Sequence, residues 1–359
     1  MKHYHYLTQK QQEQLFEKLP SSFTKDTDKE MLGLALGALL YMPATQNFLE
    51  KILHKEYEGL TSFVMCFEDA IKEDEIEAGY ENVKHILSTI HTNIQNRTLQ
   101  QEEVPLIFIR VRNTHQFNEL MERLTKEEVM QLTGFSFPKF TSDNARDYLE
   151  MTKYYAEKHE TKLYGMPILE SAAIIHQETR IQELQALQKI CIEYEPYVLN
   201  IRVGGTDFSS LFGIRRSMEY TIYDVTLIGQ CLSDILNFFL REPYAFVCSA
   251  PVWEYFRDKQ AVKGLIEEIK RDKNNGYIGK TVIHPSQVRY VNAYQAVTKE
   301  EYEDALAIFE EKKQGGVLKS HKQNKMNETN PHKSWARKIL KKAHVFGVLK
   351  ESTTYEELL

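Results

Sequence analysis

Glu170 and Asp207 are the residues of this 359-residue chain whose type and spacing most directly suggest chemistry. YGMPILE closes on Glu170, and VLNIRVGG leads through Thr206 to Asp207. A strand, a crossover helix and a second parallel strand take ~30 or more residues. The separation of 37 residues therefore sets both acids just past the carboxyl ends of strands, facing one rim. Two carboxylates there could hold a hard divalent cation, which takes one or two protein carboxylates and fills its octahedron with water and substrate oxygens. A helix cap at Glu170 and a turn cap at Asp207 suit the same spacing, so both readings stay open.

What must position these acids is a repeated unit. Apolar runs occur at 34–42, 62–67, 105–111, 134–139, 164–169, 198–204, 244–250 and 279–285, and segments of helical period lie between them. Continuous apolar strands alternating with amphipathic helices predict a parallel sheet covered by helices, and eight such units predict an α/β fold, a (β/α)8 TIM barrel. In a barrel the active site lies at the carboxyl rim. The residues that end the runs are Pro43, Glu68 and Asp69, Arg110, Lys139, Glu170, Asp207, Ser249 and His284. Strand ends are often polar simply because they meet solvent; taken jointly, these acids and bases suit a metal and an anionic substrate.

Residues 1–32 form an N-terminal helical extension, with a polar helix over 8–18 stopped by Pro20, and 33–314 form the barrel. Residues 315–359 form a C-terminal helical arm that starts after Gly315 and Gly316 break the preceding helix. Residues 311–359 carry 11 Lys or Arg against 5 Glu, then an amphipathic helix with Trp335, Ile339, Leu340 and Phe346. This is either a solvated basic tail or a docking arm, serving as a lid over the rim or as an oligomer contact.

Composition narrows the class. The net charge of −6 argues against a nucleic-acid binder held by global charge. Cys66, Cys191, Cys231 and Cys248 lack metal-ligand spacing and suit buried thiols in a reducing compartment. The first residues lack a signal peptide's apolar core and no run approaches the ~18 residues of a membrane span, which points to a cytoplasmic protein with no membrane partner.

The motifs from about 39 to 307 resemble the citrate lyase beta-subunit branch of the HpcH/HpaI aldolase family, metal-dependent carbon–carbon lyases on a barrel fold. LLYMPAT (39–45) is similar to that branch's "LFVPA", CFEDAI (66–71) to "DLEDAV", IRVRN (109–113) to "VRVN", and FPKFTS (137–142) to "PKVES". ILESAA resembles "IETAAG", VGGTDFSSLFG resembles "FGAEDLAADLG", and GYIGKTVIHPSQV (276–288) resembles "GFDGKWAIHPSQ". The resemblance implies Mg²⁺ or Mn²⁺ on Glu170 and Asp207, a substrate-binding arginine at Arg110, and a homo-oligomer. GGTD stands in place of GAED, CFED lacks the leading Asp, and the arm looks like the C–C bond lyase subfamily associated with tellurium-resistance and stress clusters. These departures put a coenzyme A thioester substrate in doubt and leave the metal site intact.

Cleaving a carbon–carbon bond beside a carbonyl leaves an enolate, so negative charge on oxygen must be stabilised. A metal on Glu170 and Asp207 could do so as a Lewis acid on a small anionic substrate such as a 2-oxo acid. Arg110 would fork a carboxylate, and the backbone of Gly204 and Gly205 could approach the ligand closely. Glu68 and Asp69 would orient water or Arg110, or simply favour a helix start. Lys139 could neutralise a carboxylate of the substrate or of the chain. His284 could be an acid or base or a structural turn residue, and no general base is assigned. Two other classes compete. GYIGKT (276–281) looks like a truncated phosphate loop, but Asn274 stands where the pattern needs Gly and GKT enters a strand, not a helix. A barrel that binds a ligand without catalysis is the second.

Overall fold

The computed structural model describes residues 1–310, the backbone of 317–319, and residues 325–359. Eight strands run in parallel: β1 (Ala38–Pro43), β2 (Ser62–Cys66), β3 (Leu106–Arg110), β4 (Gly134–Phe137), β5 (Tyr164–Leu169), β6 (Ile201–Val203), β7 (Cys248–Ser249) and β8 (Lys280–Val282). Each pairs with the next as far as β7, and β8 pairs with β1. A parallel bridge between Ala250 and Lys280 completes the circuit. Every expected run supplies a strand, trimmed at its ends. In the first run, Leu34 and Ala35 belong to the helix Lys29–Ala35, and Gly37, at φ +55°, turns the chain into β1. Only a glycine enters that left-handed region without penalty.

The helices between strands form for the expected reason. In Ile76–Gln95 the buried positions are Gly79, Tyr80, Val83, Ile86, Leu87 and Ile90, one stripe at helical spacing laid on the barrel wall. The helix Lys259–Asn275 starts where Asp258 accepts a hydrogen bond from the Ala261 N–H and stops at Gly276, φ +103°. No helix among the described residues is long and apolar enough to cross a membrane. All four cysteines are buried and unbridged.

Inward-pointing side chains change character from bottom to top. Near the strands' amino ends Leu39, Val64, Leu106, Phe108, Tyr164 and Met166 share one buried apolar cluster. Higher up come Tyr41, Cys66, Arg110, Arg202 and Thr281, which line a cavity of about 330 Å³. A barrel built only for stability fills these layers with branched apolar residues.

The two chain ends meet beneath the barrel, on the side away from that cavity. Phe16–Lys18 pairs antiparallel with Val348–Leu349. The His3 ring packs 4.4 Å from Phe346, and its Nε2 lies 3.0 Å from the Ala35 carbonyl oxygen. Val345 and Phe346 join Met1, Phe23 and Leu32 in the apolar cluster of the barrel floor. The helix Lys333–Phe346 buries Ala336, Ile339 and Ala343 in one cluster with Ala305 and Ile308. The expectation of a lid over the rim is therefore corrected: the described part of the arm plugs the floor, because its apolar stripe matches the exposed bottom of the barrel. Trp335, expected to dock, is 38% exposed. The proposed boundary at 314/315, with Gly315 and Gly316, lies outside the described residues.

Candidate active site at the carboxyl rim

Glu170 leaves β5 directly and is 4% exposed. Its Oε1 accepts hydrogen bonds from the Lys139 backbone N–H at 2.8 Å and from Arg110 Nη2 at 3.0 Å. Its Oε2 occupies space that exists because residue 204 has no side chain: a Cβ on Gly204 would lie 2.2 Å from Oε2. The Gly204 N–H is itself donated to the Leu169 carbonyl at 3.1 Å. Gly204 thus makes room for the carboxylate, and it also lines the cavity. Gly204→Ala should push Glu170 aside, lowering divalent-metal affinity at least about tenfold and costing about 1–3 kcal/mol of stability, the usual range for overpacking. Calorimetric Mg²⁺ titration and a thermal melt read both effects; wild-type metal affinity in the variant would count against the packing argument.

Asp207 sits in the first turn of the short helix Gly205–Ser210, which follows the strand next to that of Glu170, and both line the cavity. Burial pushes the Glu170 carboxyl up to about 7; the Arg110 charge opposes the rise and the Asp207 charge adds to it. Glu170 and Asp207 thus come from successive strand ends to one cavity. Their oxygen donors suit a hard ion that keeps open positions for water and substrate. No cluster of three or more His, Cys, Asp or Glu placed for a metal occurs among the described residues.

Arg110, at the end of β3, is held by the chain's own acids. Nη2 lies 2.7 Å from Glu68 Oε2 and 3.0 Å from Glu170 Oε1, and Nη1 lies 3.8 Å from Asp69 Oδ2. Its fork is already engaged, so in this structure it orients carboxylates instead of standing free for a substrate. Lys139, at φ +47°, donates its backbone N–H to Glu170 and its Nζ to Glu68 Oε1 at 2.8 Å. The strained backbone of a non-glycine residue is thus coupled to the placement of Glu170.

Asp69 and Glu68 share a hydrogen bond that separates their proton affinities. The bond to Glu68, then burial, pushes Asp69 up to about 6. Burial alone would raise Glu68, but the Asp69 hydrogen bond and the Arg110 and Lys139 charges outweigh it and bring Glu68 below the ordinary range. Of the two, Asp69 keeps its proton to the higher pH, and it lines the cavity.

Glu68, Asp69, Arg110, Lys139 and Glu170 are thus joined by hydrogen bonds and ion pairs, and Asp207 lines the cavity beside them. Pro43 and Gly205 line the same cavity. His284 and Ser249 do not. His284 Nδ1 accepts the Ser286 N–H at 3.2 Å and its ring stacks on Phe256 at 4.4 Å, so it caps a turn beside the mouth. The Ser249 hydroxyl is buried and donates to the Ile278 carbonyl. The sequence reading passed over Tyr41, Arg202 and Thr281. Arg202 carried a signal: it is the one charge inside its apolar run, and it shares the inward parity of Gly204.

The phosphate-loop alternative fails on geometry. Gly276 ends a helix, and Lys280 Nζ is buried between Glu268 Oε1 and Asp272 Oδ2, 2.8 Å from each. It cannot reach a phosphate in solvent.

A closed eight-stranded parallel barrel whose rim carries these acids belongs to the (β/α)8 enzymes with an active site at the strands' carboxyl ends. More narrowly, the chain belongs to the family described as C-C_Bond_Lyase of the TIM-Barrel fold, whose model matches residues 30–348, and it is a carbon–carbon lyase. The resemblance to the citrate lyase beta type read from the motifs is borne out. Among solved structures it is similar to a citrate lyase from Burkholderia xenovorans LB400, with 14% identity, 94% of this chain and 100% of that chain covered, and a TM-score of 0.64. It is also similar to CitE from Mycobacterium tuberculosis in complex with magnesium, acetoacetate and coenzyme A, with 16% identity, coverage of 86% and 97%, and a TM-score of 0.55. At these identities the two likenesses establish the fold. A search of the curated proteins finds no match.

Proposed function

We propose that this lyase is Mg²⁺-dependent and cleaves or forms a carbon–carbon bond beside the carbonyl of a 2-oxo acid or acyl-CoA-type substrate. The observation that carries the reading is Glu170, a carboxylate buried at the cavity wall in space left by Gly204, with Asp207 lining the same cavity and its charge adding to the rise in the proton affinity of Glu170. Glu170 and Asp207 would hold the ion, which when bound supplies Lewis-acid polarisation of the substrate carbonyl. Arg110 and the Lys139 N–H fix the Glu170 carboxylate in one orientation. Asp69, with its proton held at the carboxyl until about pH 6, can deliver it to the carbon left by the departing fragment and take it back in the bond-forming direction. Tyr41 and Ile168 line the same cavity and give it part of its apolar wall. A homo-oligomeric, cytoplasmic protein remains part of the same proposal.

The test is turnover of oxaloacetate-like and citramalyl-like substrates, free and as coenzyme A thioesters, in the presence of Mg²⁺. The reading expects a released carbonyl fragment, loss of turnover on chelation, and recovery on adding Mg²⁺ back. Turnover indifferent to chelation, or none with either substrate class, counts against it.

A further inference from the structure

Among the described residues three arginines, Arg180, Arg202 and Arg216, are buried and Arg110 is nearly so, and all of them but Arg202 meet a carboxylate. Arg110 meets Glu68 and Glu170, Arg180 lies 2.9 Å from Asp234, and Arg216 lies 3.0 Å from Glu268. Arg202, only 1% exposed, meets none among the described residues. Its Nη2 donates to Thr281 Oγ1 at 2.6 Å, its Nη1 has a long 3.4 Å contact with Asn200 Oδ1, and its Nε has no partner. The Tyr41 ring centroid is 5.9 Å from the guanidinium carbon. These groups fix where the guanidinium points and supply no compensating formal charge. A buried charge without a partner costs several kcal/mol, and arginine cannot escape by losing its proton.

The position of Arg202 indicates what would compensate it. Arg202 is paired in register with Ile168, two residues before Glu170, and lines the same cavity. At about 3.3 Å per residue it lies roughly 7 Å deeper in the barrel than Glu170. Together with Glu170 and Asp207 it makes a cavity with an acidic mouth and a cationic floor. A single planar fork with one hydroxyl beside it matches a carboxylate; a phosphoryl group would call for donors on a third side.

We propose that Arg202 is the receptor for a second carboxylate, so that the substrate of this site is a short 2-oxo diacid entering with its 2-oxo acid end at the mouth and its other acid end at the floor. This deepens the lyase reading and rests on it. It also moves the specificity role expected of Arg110 to a residue whose charge is still available.

The experiment measures binding of a diacid, oxaloacetate or 2-oxoglutarate, and of the monoacid pyruvate to the full chain by calorimetry with Mg²⁺ present. Wild type should favour the better diacid at least about tenfold. Charged hydrogen bonds contribute about 1.5–3 kcal/mol, so Arg202→Met should reduce that preference by about 10- to 150-fold. Pyruvate affinity should change less than threefold. The metal-free variant should melt at or above the wild-type temperature, since an unpaired buried charge has been removed; a purely structural arginine would lower it. Arg202→Lys keeps the charge without the fork and should recover only part of the preference. An unchanged diacid-to-monoacid ratio in both variants, or a wild type that does not discriminate, overturns the proposal. Titration of Mg²⁺ alone judges the metal reading separately: lost diacid preference with intact Mg²⁺ binding supports Arg202 whatever the turnover assays give.

Discussion

Glu170→Gln should abolish measurable Mg²⁺ binding and lower kcat by about a thousandfold or more, while leaving the melting temperature near that of the wild type. Lewis-acid stabilisation is worth several kcal/mol, and a thousandfold loss corresponds to about 4 kcal/mol. The small stability effect follows from the same environment. Burial already pushes the Glu170 carboxyl up to about 7, so around neutrality the ion-free protein holds a side chain that is partly uncharged. An amide resembles that form in size, and its oxygen can accept from Arg110 Nη2 and the Lys139 N–H as Oε1 does. Asp207→Asn should match the metal defect, because each acid supplies part of one coordination shell. Isothermal titration with Mg²⁺ and a thermal melt on both variants separate loss of the ion from loss of the fold. Unchanged Mg²⁺ affinity in either variant would sink the two-carboxylate site.

Lys280→Met should be the most destabilising single change outside the apolar core, at about 3–5 kcal/mol. Lys280 Nζ bridges Glu268 and Asp272, and all three are buried. Arg216 and the Ile222 N–H hold the other oxygen of Glu268, and the Tyr223 hydroxyl holds Asp272 Oδ1 at 2.7 Å. Removing the lysine leaves two buried carboxylates around one remaining cation. The sign of the pH dependence is fixed. Burial already raises Asp272 to about 6 against the Lys280 charge. Losing that charge raises it further, so the variant can neutralise itself by taking a proton. The deficit should be largest at high pH and shrink as the pH falls to about 6, below which the wild-type Asp272 takes up the same proton and the difference levels off. Denaturant melts at pH 5 and pH 8 check this; a deficit under 1 kcal/mol at pH 8, or one that grows on acidification, would contradict it.

The fold was legible because the units of a (β/α)8 barrel repeat. Eight apolar runs bounded by helical periods leave few topologies, and the strand-end acids and bases then fall on one rim by construction. Glu68, Arg110, Lys139, Glu170 and Asp207 could be placed together for that reason. Which of them is available to a ligand was not legible, because that depends on who pairs with whom across the barrel. Arg110 is occupied by Glu68 and Glu170, which no spacing rule reveals. Gly204 matters for the carboxylate beside it, a contact between strands 34 residues apart. His284 carries the right chemistry and the wrong direction, its Nδ1 taken by the backbone two residues on. Arg202 was hidden in an apolar run that served to define a strand. The arm's amphipathic stripe showed that it docks, but not on which end of the barrel.

The floor plug has a consequence for how the protein is made. Val345 and Phe346 cover apolar groups of β1, β2 and β3, strands that leave the ribosome more than two hundred residues before them. Until they arrive, Leu39, Val64 and Phe108 have only the cover that Met1, Phe23 and Leu32 give, and contacts of such long sequence separation form slowly. The nascent barrel thus carries a sticky base through most of its synthesis, the condition in which chaperones are recruited and aggregation begins.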